Sequence, residues 1–141
     1  MSAVASFSSL AASPHFLRRV LWLDAATGAA TGALQLLLAG FLADLLGLPE
    51  TLLVVSGWVM FAYVAGIGFI ATRQFVPSAG VWLLIGANLL WVLGCLVLLL
   101  GDLAMPTLAG KAFLAIQAVT VGLLAELQWV GLRKAAVQPG W

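Results

Sequence analysis

Residues 18–41 read RRVLWLDAATGAATGALQLLLAGF, and the reading of this stretch decides the fold. Arg18 and Arg19 open a run in which Asp24 is the only further charge. A helix of about 20 residues at a 1.5 Å rise covers the roughly 30 Å hydrocarbon core of a bilayer. The run meets that length from Val20 to Phe41. Three more blocks meet it as well: Thr51–Thr72, Val81–Leu100 and Lys111–Leu132. Apolar residues make up 64% of the 141-residue chain and charged residues 8%, against about 25% charged in a soluble domain. So few polar groups cannot cover a surface in water, so the solvent has to be largely lipid. The sequence predicts an all-α membrane protein whose four transmembrane helices form an antiparallel bundle. A single four-helix domain is expected over 14–134, between a poorly ordered tail at 1–13 and a short tail at 135–141.

Charge sets the expected threading. With the N-terminus inside, Arg18, Arg19, Arg73, Arg133 and Lys134 all fall on the cytoplasmic side, and Lys111 alone falls outside. This satisfies the positive-inside rule, and the reverse orientation violates it five times. Both termini are therefore expected in the cytoplasm of a bacterium, around an inner-membrane bundle. Trp22, Trp82, Trp129 and Phe75 fall near the same interface, as an aromatic belt would. Trp58 and Trp91 lie deeper and are expected to pack inside.

Proline punctuates the chain. Pro14, Pro49, Pro77 and Pro106 each precede an apolar block, where a first helical turn tolerates the missing N–H, and Pro139 follows the last block. Ser13 is a candidate N-cap. Gly47 and Gly101 are expected in left-handed C-cap positions ahead of short loops. A shift of 54 positions aligns Gly32-Ala33 with Gly86-Ala87, Gly40 with Gly94 and Leu46-Gly47 with Leu100-Gly101, a weak internal repeat of one hairpin.

Within the quoted stretch, Asp24, Thr27, Gly28, Thr31, Gly32 and Gln35 recur at helical spacing and share a face. That face is small and polar. Gly28 and Gly32 let another backbone approach closely, and the threonines can bond across the contact or back to their own helix. Ala62 and Gly66 repeat the spacing on the second helix; Ala115, Ala118, Gly122 and Glu126 do so on the fourth. Asp24 and Glu126 are the acids within the spans, at depths of about 6 and 9 Å by helical rise, with Asn88 and Tyr63 at about 10–12 Å. The candidate polar cluster is therefore Asp24, Glu126, Asn88, Tyr63, Thr27, Thr31 and Gln35. The candidate packing residues are Gly28, Gly32, Ala62, Gly66, Ala118 and Gly122. Ionisable groups inside spans are functional candidates because an unpartnered buried charge is costly. The competing reading pairs both acids with Arg19, Arg73 or Arg133 at the headgroups.

Other chemistry finds little footing. One cysteine, Cys95, and one histidine, His15, cannot build a common zinc, iron–sulfur or bis-histidine haem site, so neither metal nor cofactor is expected. Ser56 lacks a companion base. A net charge of +1 argues against nucleic acid as a partner.

The run Leu17-Arg18-Arg19-Val20-Leu21-Trp22-Leu23-Asp24, the Gly-rich stretch to Leu45-Leu46-Gly47-Leu48-Pro49, and Ala125-Glu126-Leu127-Gln128-Trp129 with the basic residues after it carry a resemblance. The chain resembles a widespread group of small bacterial four-helix membrane proteins. That resemblance implies fold and location, not activity. In size the chain also resembles the small multidrug-resistance transporters. Those carry a glutamate in mid-helix where Gln35 stands here, and Asp24 lies nearer the edge.

Three functions are weighed. The first is a non-enzymatic accessory, scaffold or assembly partner of an inner-membrane complex, with lipid and a larger complex or a second copy as partners. The second is a small oligomeric transporter coupled to protons or cations through Asp24 and Glu126. The third is an enzyme acting on lipids or quinones, which would need a base and an electrophile converging on one point.

Overall fold

A computed structural model describes residues 15–135. The readings made at Ser13, Pro14 and Pro139 and for the tails at 1–13 and 136–141 lie outside the described residues. Among the described residues five helices form: α1 Phe16–Leu37, α2 Ala39–Leu46, α3 Glu50–Ala71, α4 Ser78–Leu100 and α5 Leu108–Ala135. Among the described residues there is no strand. α1, α3, α4 and most of α5 are long and apolar enough to cross a membrane, and the chain is a multi-pass membrane protein on that ground.

The first apolar block is longer than its sequence span and is broken. At Leu38 the backbone leaves helical geometry (φ −120°, ψ 29°), and α2 resumes at once. The chain then turns at Gly47, whose φ of 68° is left-handed as expected, with its N–H on the Ala43 carbonyl at 3.0 Å. A side chain rarely adopts that conformation, so glycine is required there. Gly101 departs from expectation. It ends α4 in extended geometry, φ −92° and ψ −179°, because residues 101–107 run on as a longer connection. Pro49 and Pro77 stand directly ahead of α3 and α4.

Two helix pairs build the bundle: α1 packs along α3, and α4 packs along α5. The pairs meet chiefly through α1 and α5, while α3 and α4 scarcely touch. Small residues explain the first pair. A Cβ on Gly32 would lie 3.2 Å from the Gly57 carbonyl, and one on Gly57 would lie 2.9 Å from Leu36 Cγ. Two backbones therefore pass at the distance that small residues permit in lipid, where close packing replaces hydrophobic burial as the driving force. Gly28 faces Met60 and Val64 in the same seam.

The seam expected at Ala62 and Gly66 does not form. Ala62 is exposed, and nothing comes within 4 Å of a Cβ on Gly66. α3 offers Gly57 to α1, a face rotated away from Gly66. On α5, Ala118 packs against the apolar cluster around Leu114, while Gly122 only reaches ordinary contact with Val92 at 4.0 Å. Gly66→Ala is accordingly expected to leave stability unchanged or raise it by about 0.5–1 kcal/mol, the helical cost of glycine. Reversible unfolding in mixed micelles would measure it, and a marked loss would mean that this face is packed.

Two apolar cores close the bundle at its ends. One joins Leu17 and Leu21 to Ile67, Ala71, Val81, Leu84 and Leu132. Here Arg18 donates to the Ala71 carbonyl and, at 3.3 Å, to the Gln74 carbonyl, covering the end of α3. A cation suits a helix C-terminus, where carbonyls lack helical partners. The other core joins Leu42, Leu46, Leu48, Leu53, Cys95 and Leu114. It is fastened by Thr107, whose N–H bonds the Leu46 carbonyl at 3.0 Å and whose hydroxyl bonds the Leu45 carbonyl at 2.7 Å. The same hydroxyl accepts the Gly110 N–H at 3.1 Å and caps α5.

The apparent repeat has no local counterpart. Gly32 is packed against α3, whereas its match Gly86 is exposed with nothing within 4 Å of a Cβ. Gly47 and Gly101 likewise adopt different conformations. Trp22, Trp82 and Trp129 are exposed, as an interfacial belt requires, but Trp58 is 65% exposed and faces outward rather than packing.

Candidate functional site

Between the two cores each long helix contributes one polar side chain to a common point. Asp24 of α1 is 3% exposed, and its Oδ2 accepts three hydrogen bonds. Tyr63 of α3 donates its hydroxyl at 2.6 Å, Gln128 of α5 its Nε2 at 2.6 Å, and Asn88 of α4 its Nδ2 at 3.2 Å. Asn88 also donates to Gln128 Oε1 at 3.2 Å. The network explains how a carboxylate tolerates this position, because each donor offsets part of the cost of removing it from water. Among the described residues no cation pairs with it. Arg73 lies over the Phe69 ring at 3.9 Å, Arg133 over the Trp129 ring at 4.8 Å, and Arg18 holds backbone carbonyls. The reading in which arginines at the headgroups neutralise Asp24 therefore does not hold.

All three protein donors converge on Oδ2. Among the described residues none donates to Oδ1, and none donates to Asn88 Oδ1. Yet no fully buried side-chain oxygen or nitrogen lacks a partner, so these two acceptors keep some accessible surface. Both residues line a cavity of about 690 Å³. It lies between the helix pairs, where α3 and α4 diverge. Leu52, Met60, Leu98, Phe113 and Leu114 give it mainly apolar walls. Its rim carries exposed apolar residues: Val59 on α3, Leu90 and Val97 on α4, Leu34 on α1 and Ile116 on α5. Two smaller polar contacts interrupt the walls. Ser56 donates to Gln35 Oε1 at 2.8 Å, and Trp91 Nε1 donates to Gln117 Oε1 at 2.8 Å.

The structure thus brings Asp24, Tyr63 and Asn88 into one network. Thr27, Thr31 and Gln35 line the cavity beyond it without joining the network. Thr27 bonds back to the Asp24 carbonyl at 3.0 Å. Glu126 stands apart: it is exposed on the outer side of α5, and among the described residues it has no polar partner. The helical period is the cause. Two residues along a helix is about 200° of rotation, so placing Gln128 inward turns Glu126 outward. Gln128, fully buried, is the residue that the sequence reading missed. Its signal is the stripe Leu114, Ala118, Val121, Ala125, Gln128, Leu132, which alternates spacings of four and three. This stripe competes with the small-residue seam that ends on Glu126.

No protein-family model matches the chain, and no curated protein and no solved structure matches it either. The class defined by fold and site is a four-span helical membrane protein with a laterally rimmed apolar cavity and one buried, hydrogen-bonded carboxylate at its polar end.

Proposed function

We propose that the chain is a non-enzymatic integral membrane protein that binds an apolar molecule taken from the surrounding bilayer. The observation that carries this reading is the cavity of about 690 Å³ between the helix pairs, whose rim residues are exposed where lipid would meet them. The volume lies in the range of sites for small molecules, roughly 300–1,000 Å³. At Asp24 the one hydroxyl beside the carboxylate, that of Tyr63, is spent in its hydrogen bond to Oδ2, and no electrophilic group converges on the same point, which favours binding over catalysis. The proposed setting is a bacterial inner membrane, with antiparallel helices and both termini cytoplasmic. This orientation rests on Arg18, Arg19, Arg73, Arg133 and Lys134, which share one side in that threading.

A glycine pair provides the test. Gly94 lines the cavity and Gly86 does not, and nothing lies within 4 Å of a Cβ at either. Gly94→Trp therefore fills the cavity, and Gly86→Trp places the same ring outside it. Native mass spectrometry from nanodiscs is expected to find an apolar molecule retained by the wild type and by Gly86→Trp and lost from Gly94→Trp. Equal retention by all three would place the bound lipid on the outer surface.

A second reading is favoured by Glu126. An exposed carboxylate within a span favours a docked partner that offers it a donor. This supports an accessory or assembly role in a larger inner-membrane complex, or self-association. It disfavours a transporter coupled through both acids, since Asp24 and Glu126 face opposite ways.

A further inference from the structure

Resting on the proposal that the cavity takes an apolar molecule, we infer that its occupant is an amphiphile headed by a hydrogen-bond donor, cationic by preference, seated on Asp24. Asp24 Oδ2 is saturated by Tyr63, Asn88 and Gln128, while Asp24 Oδ1 and Asn88 Oδ1 receive no donor. Both residues are more than nine-tenths buried, and both line the cavity. The polar end therefore presents oxygen lone pairs and a negative charge that no described cation neutralises.

A head group with N–H or O–H bonds completes this arrangement. An ammonium adds the missing countercharge, and in surroundings of low dielectric a charge-assisted bond exceeds a neutral one. A carboxylate head would set like charges together. Its tail has room along the apolar walls. From Asn88 to Leu98, both lining residues on α4, the helical rise gives about 15 Å. The open rim lets such a molecule enter sideways from the bilayer without crossing a headgroup layer.

The experiment compares three probes of one chain length, dodecylamine, dodecanol and dodecanoate, binding to the full chain in uncharged nanodiscs, with empty discs as reference. Dodecylamine is expected to bind tightest, dodecanol next, and dodecanoate about tenfold or more weaker than the amine, as expected for one charge-assisted bond. Asp24→Asn is expected to bring the amine to the level of the alcohol while Gly86→Trp leaves the ranking unchanged. The wild-type ranking alone is decisive, so poor folding of the Asn variant does not blunt the test. If the three probes bind equally, or the acid binds best, the head-group inference is overturned and the apolar cavity stands. If none binds and Gly94→Trp retains the native molecule, the cavity reading itself falls, and this inference with it.

Discussion

Asp24→Ala is expected to be the most damaging single substitution in the chain. Removing the carboxylate strands the Tyr63 hydroxyl, the Gln128 amide and one Asn88 N–H, all of which now bond Oδ2. An unsatisfied buried donor costs about 1–3 kcal/mol, so three stranded donors imply a loss of roughly 3 kcal/mol or more. Burial of an unpaired charge works the other way, since a carboxylate without a cation carries a desolvation penalty that alanine relieves. The hydrogen bonds are expected to prevail, because the four long helices meet at this one oxygen. Asp24→Asn, which keeps an acceptor and sheds the charge, is expected to lose less than Asp24→Ala. Equilibrium unfolding in mixed micelles would compare them. An alanine variant as stable as the wild type would show that the charge penalty, not the network, dominates this layer.

Gly110→Val is the second large effect. A Cβ at Gly110 would collide with the Leu46 carbonyl oxygen and meet Pro106 Cβ at 2.9 Å. That carbonyl also receives the Thr107 N–H, so the end of α2 cannot recede without breaking the fastening to α5. Overpacking in a fixed backbone contact costs about 1–3 kcal/mol, and the bond lost at Leu46 adds about 1 kcal/mol. The expected result is a marked fall in unfolding midpoint for Gly110→Val, set against no fall for Gly66→Ala. If both variants behave alike, the α2–α5 contact is not as close as its geometry implies. A second readout is amide exchange at Thr107, whose protection is expected to drop with the valine.

The packing glycines show how reading and structure part company. Gly28 and Gly32 were legible because they stand one helical turn apart on a single face, a purely local property. Their counterpart, Gly57, has no partner at four-residue spacing, so no local pattern marks it. The pair Ala62 and Gly66 has that pattern, yet Ala62 is exposed and nothing lies within 4 Å of a Cβ on Gly66. Spacing reports that a face is small; it does not report that another helix lies there.

What the sequence by itself determined is the number and apolar character of the spans, the left-handed turn at Gly47, and the presence of Asp24, Tyr63 and Asn88 in the same layer. These follow from composition, from helical rise and from the backbone freedom of glycine, all of which act over a few residues. Only the tertiary structure decided that Gln128 rather than Glu126 faces Asp24, that α3 and α4 diverge around a cavity, and that Trp58 points outward. The reason is rotational. Every face of these helices is apolar enough to meet either lipid or protein, so hydropathy leaves the angle of each helix about its axis open. The contacts that fix it, Gly32 on Gly57, Thr107 on Leu46 and three donors on one carboxylate oxygen, join residues far apart in the chain.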